Sequence, residues 1–129
     1  MSTHVYPSLR YRDARAAIDF LERAFGFEVH ASMEDDEGVV GHAELRWGGS
    51  MIMLGQESED GIERWGAHAG RGWSYVTVED ADAHCERARE AGAEIVMEPA
   101  DLPYGSRDYA ARDPEGNLWS FGTYDPLAG

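Results

Sequence analysis

His42 and Glu44 stand two residues apart in the run VVGHAELRW at 39–47. On an extended strand that spacing puts both side chains on one face. An imidazole beside a carboxylate suits a general base or a pair of metal ligands. Two ligands from one strand are too few for a closed metal site, and no third is evident nearby. Arg46 continues the same face, so a salt-linked trio of His42, Glu44 and Arg46 at a pocket rim is the plainer reading. His4 precedes the first strand, His30 and His84 read as surface residues, and His68 lies with Trp65 in a polar stretch. Cys85 falls in a helical pattern without an activating partner and reads as a buried structural thiol. No Ser/His/Asp arrangement, phosphate loop or CxxC pair is present, and no catalytic residue is assigned.

The elements that must position these groups come in two copies. Sliding the chain by 67 residues aligns it with itself without a gap. Asp13 then falls on Asp80, Ala14 on Ala81, Ala24 on Ala91, Ala43 on Ala110 and Gly55 on Gly122. Such matches at helix starts, turns and strand ends mark a repeated supersecondary unit. In the first copy, 6–11 reads as a strand and Asp13 as an N-cap. Ala14, Ala17, Ile18, Leu21 and Phe25 recur at helical spacing, and Gly26 ends the helix. Strands at 27–33, 39–47 and 50–54 follow. The second copy repeats the order: a strand at 73–78, a helix from Asp80 to Gly92, and strands at 94–97, 107–112 and 117–124. The modules span 1–57 and 71–129, and the polar, Gly-rich stretch 58–70 reads as a linker. The whole chain, 1–129, reads as one α+β domain.

A sheet with a helix on one face alternates apolar and polar residues. Ala43, Leu45 and Trp47 would face the helix, with His42, Glu44 and Arg46 on the open, concave side. Tyr6, Ser8 and Arg10 take that side in the first strand, and Trp73, Tyr75 and Thr77 in the second copy. The alternation of Arg107, Asp108, Tyr109 and Arg112 leaves open which pair points in. Tyr104 precedes that strand and reads as a turn residue able to close over a ligand.

Composition narrows the partners. A formal charge of −14 argues against nucleic acid, which is bound through clustered cations. The acid at 34–37 and 57–63 reads as solvated loop or as a field that attracts cations. No apolar run is long enough to span a membrane. One cysteine and no signal-peptide pattern point to the cytoplasm.

The segments LRYRDARAAIDFLERAFGFEV at 9–29, VTVEDADAHCERAREAGAEIV at 76–96 and DPEGNLWSF at 113–121 carry a further inference. With the repeat, they make the chain resemble the vicinal oxygen chelate superfamily, which includes glyoxalase I, extradiol dioxygenases and bleomycin resistance proteins. The resemblance implies tandem βαβββ modules forming a cupped mixed sheet with helices on the outer face. It also implies a homodimer whose cup combines one module from each subunit. The superfamily's metal-ligand positions fall on Tyr6, Met53, Trp73 and Ser120. None is a usual ligand for a divalent cation, so the expectation is no metal and no cofactor.

The expected function is sequestration of a small planar aromatic or cationic compound, as in the bleomycin resistance branch. The expected ligand-binding residues are Tyr6, Ser8, His42, Glu44, Met53, Trp73, Tyr75 and Ser120. The alternatives are an enzyme of the same fold, with Glu44 or His42 as base or with a displaced metal, and a dimer whose cup has collapsed into core.

Overall fold

The computed structural model describes residues 3–128. Strand β1 (Ser8–Tyr11) leads into helix α1 (Ala14–Phe20), whose first turn is capped by the Asp13 carboxylate accepting from the Ala16 N–H at 3.1 Å. Leu21–Phe25 continues α1 as a π-helical turn, ended by Gly26 at φ 90°. Strands β2 (Glu28–Glu34), β3 (Val40–Trp47) and β4 (Ser50–Gln56) complete the first module. The second module runs β5 (Trp73–Thr77), α3 (Ala81–Glu90), β6 (Glu94–Asp101), β7 (Arg107–Arg112) and β8 (Leu118–Gly122), with Asp80 capping Ala83. Between them lies helix α2 (Glu59–Trp65), capped by Ser58 and closed by Gly66. That helix falls in the stretch read from sequence as linker. Its charged residues and internal Gly61 hide it, and it buries none of its own residues.

The strands form two four-stranded mixed sheets, ordered β1-β4-β3-β2 and β5-β8-β7-β6. Tandem βαβββ modules are therefore the architecture. The cup is carried by two sheets, with β1 and β2 at the edges of one and β5 and β6 at the edges of the other. The helix-covered faces meet in one shared core, in which Phe25 and Phe27 pack on Trp119, and Phe25 also packs on Phe121.

The second module also holds α1 at both ends. Glu115, in the β7–β8 turn, accepts from the backbone N–H groups of Arg12 and Asp13. At the other end Arg87 of α3 donates to the carbonyls of Glu22 and Arg23, both at 3.1 Å. A carboxylate at the N-terminus and a cation at the C-terminus both favour the helix dipole.

The gap-free repeat conceals compensating one-residue shifts, two of which bracket β3. Ser8 and Glu44 both pair with Met53, whereas Tyr75 and Ala110 both pair with Ser120. Ser8 and Tyr75 are thus 67 positions apart, but Glu44 and Ala110 only 66. An irregularity where Val40 joins the sheet adds a residue to the first module, and the longer turn before Asn117 restores the count. A slip of one residue exchanges the two faces of a strand. Ala43 is accordingly in the core, while its sequence match Ala110 lies on the open face.

Candidate functional site

Each sheet's open face carries a distinct set of side chains. On the first, His42 Nε2 and Glu44 Oε2 lie 2.9 Å apart, with Ser8 and Met53 on neighbouring strands. The expected trio needs correction, because Arg46 contacts His30 Nδ1 at 2.7 Å instead of Glu44. A bulge between Val29 and Ala31 brings His30 into this group, with its Nε2 4.0 Å from Glu44. His30 is therefore part of the cluster and not an isolated surface residue. Arg10 lies on the same face and donates to Ser8 Oγ at 3.0 Å. Its guanidinium covers Gly55, where any side chain would strike it, and burial lowers its pKa.

On the second face, Trp73 Nε1–H donates to Ser120 Oγ at 3.1 Å, and Tyr75 pairs with Ser120 across the strands. Trp73 is 74% exposed and Tyr75 41%, so in the single chain neither is core. The open question about β7 is settled by its neighbours. Tyr109 and Ala111 are fully buried in the core, Arg107 turns to Asp82 of α3, and Asp108, Ala110 and Arg112 take the opposite face. Asp108 pairs with Gly122 and is 6% exposed. Ser106 donates to its Oδ1, and Tyr104 to its Oδ2 at 3.3 Å. Tyr75 donates to the Tyr124 carbonyl at 2.7 Å, and desolvation raises its pKa.

The eight expected residues therefore fall into groups. Ser8, His42, Glu44 and Met53 share the first face, and Trp73, Tyr75 and Ser120 the second. No hydrogen bond or ring contact joins the two groups among the described residues. Tyr6 stands beside His4, with ring centroids 5.6 Å apart, and lines a cleft of about 1300 Å³ between the modules. Tyr75 also lines that cleft, while the other six do not.

Sequence reading also missed His84, which it placed on the surface. His84 lines the cleft, with Nε2 2.7 Å from the Phe25 carbonyl, so that nitrogen carries the proton. Its Nδ1 then accepts from the Tyr109 hydroxyl at 2.5 Å. Burial is the first cause of its lowered pKa. Nothing local in the sequence signals this, because both partners come from distant elements. Cys85 is buried as expected, and its thiol pKa is raised by burial.

A family model described as the Glyoxalase/Bleomycin resistance protein/Dioxygenase superfamily matches residues 3–121. The chain belongs to that superfamily. It is 33% identical over 124 residues to an uncharacterized protein of Mycobacterium bovis, covering 90% of this chain and 80% of the relative. Among solved structures it is similar to TioX from Micromonospora sp. ML1, with 35% identity and a TM-score of 0.80 over 94% of this chain and 98% of that one. Lactoylglutathione lyase from Agrobacterium tumefaciens shares the fold, at 22% identity and a TM-score of 0.71 over 95% of this chain and 93% of that one.

The superfamily's metal can be tested against the donors present. Trp73 offers an N–H and no lone pair, and it directs that N–H at Ser120. Tyr6 and Met53 supply a phenol and a thioether, poor donors for a divalent cation. Among the described residues no three His, Cys, Asp or Glu side chains are placed to share an ion. This set does not fit a divalent metal.

Proposed function

We propose that this protein is a metal-free binding protein of the glyoxalase/bleomycin resistance type, which sequesters a small aromatic or cationic compound. The observation that carries the reading is the second face, where the Trp73 indole, at a position the resemblance assigns to a metal ligand, is exposed and donates to Ser120. Such a ring is a stacking platform for flat or cationic ligands. The ligand would lie in a cup completed by a second copy of the chain, each copy lending one module. The unpaired edges of β1 and β5 and the exposed rings of Tyr6, Trp73 and Tyr75 support that homodimer. The two sets of expected site residues would then meet between chains.

A thermal-shift screen against planar aromatic and cationic compounds tests the reading. A ligand at 100 times its dissociation constant should stabilise the fold by about 2.7 kcal/mol. A screen in which no such compound raises the melting temperature contradicts it. The hydrogen-bonded pair of His42 and Glu44 favours a second reading, an enzyme of the same fold using Glu44 or His42 as general base. Turnover of a bound ligand that is lost in Glu44→Gln would establish that alternative.

A further inference from the structure

On the second open face, Asp108 is a buried carboxylate without a cation. Its neighbour Arg107 is engaged with Asp82 and Asp101 on the other side of the strand. No Arg or His forms an ion pair with Asp108 among the described residues, and its contacts are two hydroxyls. Burying a charged group away from water without a counter-charge is unfavourable. The 3.3 Å bond from Tyr104 is long, and a carboxylate has about four acceptor positions, so Oδ2 can take another donor.

The surroundings of Asp108 are aromatic. Tyr104 and Tyr124 meet edge to face, with centroids 5.8 Å apart and planes at 82°, and they are 62% and 50% exposed. The Tyr75 hydroxyl adjoins the same spot over Gly122, where an added side chain would strike both Tyr75 and Asp108. A buried carboxylate met by hydroxyls, with exposed tyrosine rings beside it, suits a primary ammonium, whose N–H groups can fill the acceptor position left on Oδ2 and whose charge the nearby rings attract. The first module differs at the matching place. There His42 precedes Ala43 as Asp108 precedes Tyr109, and Arg10 and the Gly41 carbonyl close over Gly55.

We infer that Asp108, Tyr75, Tyr104 and Tyr124 form a subsite for an alkylammonium group. Trp73 holds the aromatic part of the same ligand about 7 Å away, two strand residues along β8. This deepens the proposed function and rests on it, assigning the cation to residues outside the metal positions.

The test compares two probes with one ring and different ends, 2-phenylethylammonium and 2-phenylethanol. Binding is followed by the Trp73 indole N–H resonance, assigned with Trp73→Phe. The cation should bind wild type about tenfold more tightly than the alcohol. Asp108→Asn, with its melting temperature checked, should remove that preference. Tyr124→Ala, at an exposed ring, should reduce it without disturbing the fold. A preference that survives both substitutions, or no preference in wild type, overturns the subsite. Equal binding of both probes at Trp73 would do so while leaving the proposed function standing. If neither probe moves the Trp73 resonance, the subsite and the stacking platform both fail.

Discussion

The two modules share one chain path and differ in what they show on each face. On the helix side they are complementary. The second module supplies Trp119, His84, Arg87 and Glu115 to the first, which answers with Phe25, Phe27 and the two ends of α1. On the open side they diverge. The first carries Arg10 over Gly55 with a His42–Glu44 pair, and the second carries Asp108 beside Gly122 within a group of tyrosines. The repeated backbone fixes where side chains can stand.

Breaking the shared side should have the largest effect. Trp119 is fully buried, so Trp119→Ala should cost about 3–5 kcal/mol and unfold both modules in one transition. Denaturant melts followed by fluorescence and by circular dichroism check this. Two separated transitions would show that the modules are independent. Asp113 comes next. It is buried and accepts from Tyr11 at 2.6 Å, Trp119 at 3.1 Å and the Asn117 backbone at 3.1 Å. Asp113→Asn replaces one acceptor with a donor and should cost about 1–3 kcal/mol in the same melts.

Much of this comparison was legible in the sequence, and the limits have physical causes. The Asp13 and Asp80 caps are local patterns, and both stand as read. The alternation in β3 correctly separated Ala43, Leu45 and Trp47 from His42, Glu44 and Arg46. The same alternation could not orient β7, because Arg107 and Arg112 are polar at both ends and the one-residue shift breaks the match to β3. His84 was hidden because its hydrogen bonds reach 25 and 59 residues along the chain. His30 was hidden by a bulge that no residue type announces.

The pH dependence sharpens the contrast at a smaller scale. His84 is on α3, and the repeat places Ala17 at the matching position of α1. Because the folded pKa of His84 is lowered, the unfolded chain binds its proton more readily. The stability it contributes is full above the unfolded value of about 6.5 and is lost as pH falls through it towards the folded value. His84→Gln should flatten this part of the stability profile, measured by urea melts at stepped pH. A slope unchanged by the substitution would assign the effect elsewhere.

The smallest effect on stability is expected on the open face. Trp73→Ala removes an exposed ring and should change stability by less than about 0.5 kcal/mol, against the large loss for Trp119→Ala. Its effect should appear in ligand binding instead, read by titrating a compound from the thermal-shift screen. A large stability loss with unchanged affinity would return Trp73 to the core.

The most direct test of the whole account is the metal content of the protein after purification and dialysis, measured by elemental mass spectrometry. With Tyr6, Met53, Trp73 and Ser120 at the positions the resemblance assigns to metal ligands, the protein should retain no stoichiometric divalent ion. Zinc, nickel, manganese or iron retained at one ion per chain would contradict it.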